Sequence, residues 1–138
     1  NVEAQFSIPF TVASAWIDGK LGLGNFTDEG LRRADVLALA GRVKPYVDPE
    51  IEAGWSHVVT PAKVTVQFRD GQTTETWVDR AKGHPQNVMT QADFAAKAAD
   101  CARFAARTMP VDTAERLIQT VSRLESLPDI AELVRVVA

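Results

Sequence analysis

The sequence predicts an α+β fold: a small antiparallel sheet built on one β-hairpin, with helices before and after it. Two observations carry this. Period-2 alternation is concentrated in residues 63–78, and apolar spacing of three and four residues holds on both sides of that stretch. Strands do not alternate with helices along the chain, which argues against a doubly wound parallel sheet.

The first helix starts at Ser7, a good N-cap, with Pro9 in the first turn where its missing N–H costs little. Gly19 supplies a left-handed stop. Between them Phe10, Val12, Ala13, Ala15, Trp16 and Ile17 make the helix apolar on nearly every side, so it calls for neighbours all round. Residues 20–26 read as a loop. Thr27 caps a short helix whose first turn holds Asp28 and Glu29, favourable at the positive end of the helix dipole. Residues 35–40 form a second short helical piece ended by Gly41. Residues 42–47 read as a short edge strand, interrupted by Pro45.

Residues 63–69 alternate strictly, with Val64, Val66 and Phe68 on one face. Asp70-Gly71 reads as a two-residue type I′ turn. That register sets Trp77 opposite Val64 on a buried face and leaves Glu75 awkwardly opposite Val66. Helical spacing then returns. Thr90 with Asp93 resembles a capping box, followed by a stripe of Phe94, Ala98, Cys101 and Ala105. Asp112 and Glu115 open the next helix, with Leu117, Ile118, Val121 and Leu124 on its apolar face. Pro128 opens the last, with Ile130, Leu133, Val134 and Val137 in line.

A length of 138 residues is one domain by the usual relation of length to domain number. The net charge of −3 leaves no basic footprint for nucleic acid. Cys101 is the only cysteine, so no internal disulfide forms and a reducing cytoplasm is the expected location. No apolar run reaches the ~20 residues that cross a bilayer. The opening Asn1-Val2-Glu3, without an initiator Met, is expected of an excised piece or a processed product.

The residue chemistry offers no active site. Two histidines, His57 and His84, both in expected loops, are too few for a zinc centre, so neither a metal nor a cofactor is expected. His57 reads as a solvated loop residue. His84, between Gly83 and Pro85, reads as a turn histidine bonded to nearby backbone. Cys101 reads as a small buried hydrophobe. The stretch Gly19-Lys20-Leu21-Gly22-Leu23-Gly24 lacks both the terminal Gly-Lys-Ser/Thr of a phosphate loop and the strand before it. Its glycines read as a tight connection. No residue is assigned a catalytic role, and the isolated chain is expected to be inactive.

Three stretches nevertheless carry a resemblance that covers the whole chain. Glu3-Ala4-Gln5-Phe6-Ser7-Ile8-Pro9-Phe10 leads through Ala13 and Ala15 to Ile17-Asp18-Gly19. Val64-Thr65-Val66-Gln67-Phe68-Arg69-Asp70-Gly71 forms the hairpin. Lys82-Gly83-His84-Pro85-Gln86-Asn87 precedes Thr90 and Phe94, with Val88 where a proline more often follows the asparagine. In order and spacing these resemble the carboxy-terminal part of the MmgE/PrpD family, which includes 2-methylcitrate dehydratases and cis-aconitate decarboxylase.

The resemblance implies that residues 1–138 are a single lid domain of a larger, dimeric enzyme. The lid would close over a cleft in an upstream all-helical domain that carries most of the catalytic His, Lys and Asp residues. The substrate would be a small di- or tricarboxylate, and no metal is usual. Gln5, Ser7 and Phe10 stand on the stretch that faces the cleft in the family, so they are the substrate-binding candidates. The plainer readings are that Ser7 only caps a helix and that Phe10 is only core. A competing reading of the whole chain is a non-catalytic oligomerisation or ligand-binding module that reuses the same fold.

Overall fold

The computed structural model describes residues 2–55 and 61–138. Among these it shows the α+β class: seven α-helices and one two-stranded antiparallel sheet, with helices on both sides of it in the chain. His57 lies outside the described residues. Contacts group the chain into two compact units, one of 1–45 with 91–138 and the other of 46–90.

In the first unit, α1 (Val2–Gln5) is a single turn that the sequence reading did not anticipate. Helix α2 (Ile8–Asp18) starts and stops where expected. Ser7 Oγ accepts the Phe10 N–H at 3.3 Å, and Gly19 closes the helix at φ 69°. Its inward face is Phe10, Ala13 and Ser14, packed on Val36 of α3 (Ala34–Ala40). Ala4, Phe26, Leu31, Leu39 and Ala40 close this core. The Phe10 and Phe26 rings lie 6.0 Å apart with their planes tilted by 47°, within the range favoured by aromatic pairs.

Between α2 and α3 the chain makes two 3₁₀ turns, Leu23–Phe26 and Gly30–Arg32. The helix expected after Thr27 is only the second of these. Thr27 does act as a cap, its hydroxyl accepting the Gly30 N–H at 3.1 Å. Residues 42–47 are not a strand. After α3 the chain unwinds through tight turns, Arg42 N–H to Leu39 O at 2.9 Å and Val43 N–H to Ala40 O at 3.1 Å.

Helices α5 (Gln91–Arg103), α6 (Thr113–Ser122) and α7 (Ala131–Val137) complete the unit, α5 packing on α6 and α6 on α7. Helix α7 starts three residues after Pro128, its first N–H held by Asp129 Oδ1 at 2.9 Å. Arg107 ties down its far end by donating to Val137 O at 2.8 Å. One expectation fails on α5, because Cys101 is exposed rather than buried. The inward stripe runs through Ala98, Ala102 and Ala105, all half-buried, and Cys101 sits one residue off it.

In the second unit, α4 (Pro49–Trp55) was also not anticipated, although its start is chemically explicit. Asp48 Oδ1 accepts the N–H groups of Glu50 at 3.0 Å and Ile51 at 3.4 Å, and Pro49 takes the first helical position. Strands β1 (Ala62–Gln67) and β2 (Thr73–Val78) form the hairpin.

The hairpin register differs from expectation by one residue, pairing Val64 with Thr76 and Lys63 with Trp77. The loop has three residues rather than two. Phe68 N–H bonds Gln72 O at 2.8 Å, Gly71 N–H bonds Phe68 O at 3.1 Å, and Gly71 sits at φ 87°. This is a type I turn followed by a left-handed glycine bulge. Asp70 Oδ1 accepts the Gln72 N–H at 3.0 Å and so fixes the longer loop. The one-residue shift sends Trp77 to the opposite face from Val64 and Val66. It also gives Glu75 a fitting partner, the Thr65 hydroxyl at 2.9 Å.

Candidate functional site

The three substrate-binding candidates lie within six residues at the junction of α1 and α2. Helix α1 ends in a turn, with Phe6 N–H on Val2 O at 3.4 Å and Ser7 N–H on Ala4 O at 3.2 Å. That turn brings Ser7 to the head of α2, where its backbone carbonyl accepts both the N–H and the hydroxyl of Thr11, at 2.9 and 3.0 Å. Gln5 is exposed, and its amide has no partner among the described residues. Ser7 is half-buried and serves as the cap, while its O–H remains available as a donor. Phe10 is 6% exposed and belongs to the core. Phe6, between the candidates, is 82% exposed, and Val2 and Ile8 are exposed on either side of it. The junction therefore presents one free amide and one hydroxyl on an apolar surface held by a buried ring.

At the opposite end of α2 from the junction lies a charged clamp that local sequence patterns do not reveal. Arg33 NH1 bonds both carboxylate oxygens of Asp18, at 2.8 and 2.7 Å. Its Nε and NH2 bond the two oxygens of Asp35 at 3.2 and 2.8 Å. Asn25 Nδ2 adds a third hydrogen bond to Asp18 at 2.7 Å. The Arg33 and Asn25 hydrogen bonds hold the Asp18 carboxyl below the ordinary carboxylate range, and Arg33 does the same for Asp35. The guanidinium is in turn raised, first by Asp35 and then by Asp18. The clamp joins the end of α2, the first 3₁₀ turn and the start of α3. It spans 15 residues of chain between Asp18 and Arg33, beyond the reach of any local pattern.

The glycine-rich loop proves to be a connection, as expected. Its amides are engaged within the protein: Gly22 N–H on Asn25 Oδ1 and Leu23 N–H on Asp100 Oδ2, both at 2.9 Å. A phosphate would have to displace them. His84 is a turn histidine, its Nδ1 accepting the Gln86 N–H at 3.1 Å. That bond places the ring proton on Nε2. Around it Asn87 Nδ2 bonds Arg80 O at 2.8 Å and Arg80 Nε bonds Gln86 Oε1 at 2.9 Å. In the second unit Lys63 pairs with Asp48 at 3.0 Å. This pair holds the aspartate below its usual pKa and the lysine above its own.

Among the described residues no three His, Cys, Asp or Glu side chains converge as a metal centre requires. Nor, among them, is any helix long and apolar enough to cross a membrane.

Comparison with known proteins adds what this geometry cannot. A family model described as the MmgE/PrpD C-terminal domain matches residues 1–126. The cis-aconitate decarboxylase of Mus musculus is 26% identical over 134 residues, which cover 96% of this chain and 26% of that protein. The chain thus spans about a quarter of the length of this curated relative.

Proposed function

Given that this chain belongs to the MmgE/PrpD family through its C-terminal domain, we infer that it is the lid of a lyase- or isomerase-type enzyme. Its substrate is a small di- or tricarboxylate, and the cleft it closes belongs to an all-helical domain of the same polypeptide. One observation carries the reading. The segment matching the family's cleft-facing stretch is the one that exposes Val2, Phe6 and Ile8 around a free amide and a hydroxyl.

Exposed apolar side chains within the first unit support a missing neighbour: Phe6 is 82% exposed, Val2 62% and Ile8 58%, and clustered apolar surface of this kind marks an interaction site.

Elimination or isomerisation next to a carboxylate needs a general base and cations for the carboxylates. The exposed Gln5 amide and Ser7 hydroxyl supply hydrogen bonds and no base, so proton transfer falls to the other domain. Phe10 contributes from beneath, fixing the Ser7 turn. Closure then excludes water and strengthens the charge interactions under the lid.

The test is turnover of cis-aconitate, 2-methylcitrate and related acids by the full polypeptide and by residues 1–138 alone. The full polypeptide turns over one of these acids, and the isolated chain turns over none. In the full polypeptide Gln5→Ala raises KM several-fold, about the effect of one lost hydrogen bond. Full-rate turnover by residues 1–138 would overturn the assignment. The same exposed surface favours a second reading, a non-catalytic module that pairs with another copy. Concentration-dependent sedimentation of a full polypeptide that shows no turnover would select it, and a strict monomer would exclude it.

A further inference from the structure

The hairpin of the second unit is a sheet with two open edges. Among the described residues it has no third strand, and Pro61 is the only buried residue of this unit. A two-stranded hairpin is marginal by itself, and a third strand or a packed face is what stabilises it. One face of this hairpin carries no charge. Val64, Val66 and the following Phe68 share it with Thr74, Thr76 and Val78, and all but the half-buried Val66 are exposed. The charged residues of the two strands, Lys63 and Glu75, lie on the other face.

The bond that closes the hairpin decides which backbone groups point outward. Phe68 N–H bonds Gln72 O, so Val66, Val64 and Ala62 also turn their N–H and C=O groups toward β2. Lys63, Thr65 and Gln67 therefore turn theirs away from it, as Thr73, Glu75 and Trp77 do on the opposite edge. Among the described residues no backbone group outside the hairpin bonds either row. Only one of these rows suits a copy of itself. Laid antiparallel on its own copy with Thr65 on the axis, β1 sets Val64 opposite the partner's Val66 and Thr65 opposite the partner's Thr65. Lys63 falls opposite the partner's Gln67, and its charge is already answered by Asp48 at 3.0 Å. No like charges meet, and apolar and threonine pairs are favourable across strands. The same arrangement of β2 would set Glu75 opposite the partner's Glu75.

We propose that β1 pairs with β1 of a second copy of this chain, antiparallel about a two-fold axis at Thr65. The product is a four-stranded sheet in the order β2-β1-β1-β2. The outward N–H and C=O groups of β1 find partners, and the two uncharged faces join into one. A two-fold contact uses the same edge of both copies, so it closes at the dimer and does not grow into a fibre. The glutamates on the outer edges oppose further addition there by like-charge repulsion. This pairing is read from mass and the enzyme reading from turnover, so either can fail alone.

The test is sedimentation of the 138-residue chain. A strand of six residues makes a small contact, so concentrations run from about 10 μM to about 1 mM. The wild-type chain shows a monomer–dimer equilibrium in that range. Thr65→Pro removes two hydrogen bonds at once, by symmetry, and weakens association about tenfold or more. The hairpin tolerates that proline because the lost N–H points away from β2. Thr65→Lys keeps the N–H and faces Glu75 within its own hairpin, yet it sets like charges across the axis and also weakens association. Thr73→Lys, on the outer row of β2, leaves association unchanged. Isotope-filtered NOEs in a mixed sample connect Val64 with the partner's Val66. A wild-type chain that is monomeric at every concentration overturns the proposal. So does a dimer that both Thr65 variants leave intact, because it uses another surface.

Discussion

Alanine at Gly30 probes the packing that holds the two 3₁₀ turns together. Gly30 is buried, and a Cβ there would lie 2.6 Å from Asn25 O and 2.8 Å from Asn25 C, with Gly24 O nearer still. Ordinary van der Waals contact begins at 3.4 Å. All three obstacles are backbone atoms, so no side-chain rotation relieves them. To reach ordinary contact the Leu23–Phe26 turn must retreat by at least about 0.8 Å (3.4 less 2.6), drawing Phe26 from Phe10 and Asn25 from Asp18. Overpacking of this kind costs about 3 kcal/mol. In a chain of this length that lowers the melting temperature by roughly 10 °C. Gly41→Ala is the matched control, because its nearest neighbour is 3.7 Å away and its φ of −61° suits any residue. There alanine leaves stability unchanged or adds a few tenths of a kcal/mol. Thermal unfolding followed by far-UV circular dichroism gives both values. A Gly30→Ala protein melting within about 2 °C of wild type would refute this packing.

Further predictions concern the caps, the ion pair and the thiol. Ser7→Ala lowers stability to urea by about 1 kcal/mol and Ser7→Asp restores most of it, whereas an alanine variant as stable as wild type would remove the cap. The Asp48 carboxyl is depressed, chiefly by Lys63, so its stabilisation is present above the ordinary carboxylate pKa and is lost as pH falls through the depressed value. Lys63 is raised by the same pair, so its share is full below the ordinary lysine pKa and is lost as pH rises through the raised value. Carboxyl-carbon NMR of Asp48 shows its titration midpoint rising in Lys63→Met, and an unmoved midpoint would show that the pair does not form. Cys101 reacts with dithionitrobenzoate at one equivalent without denaturant, whereas a requirement for urea would mean that α5 is rotated differently.

What was legible in the sequence is what one turn of chain decides. Ser7 and Gly19 bracket α2 because a cap hydroxyl and a left-handed glycine act on their immediate neighbours. The hairpin was legible as a hairpin but not in its register. Asp-Gly serves a two-residue turn and a three-residue bulged loop alike, and the Asp70 bond to Gln72 decides between them. Alanines surround α5, so apolar spacing fits two stripes one residue apart and does not decide that Cys101 is exposed. Helices α1 and α4, of four and seven residues, are too short to show a period. At the candidate site the Ser7 cap was readable and the burial of Phe10 was one of two open readings. The clamp at the far end of α2 depends on Asp18 meeting Arg33, and only the fold brings those residues together.

That clamp also restricts the order in which its members could be replaced. With Arg33 in place, either Asp18 or Asp35 can turn neutral and the guanidinium still keeps one carboxylate. With Arg33 lost first, two carboxylates are left converging on the space it filled, with Asn25 on Asp18 and the Val36 N–H on Asp35 to offset the repulsion. The carboxylates can therefore depart one at a time, but the arginine must go last, or together with them. A chain in which Asp18 and Asp35 are already neutral would tolerate almost any residue at 33. One that retains both is bound to a cation there.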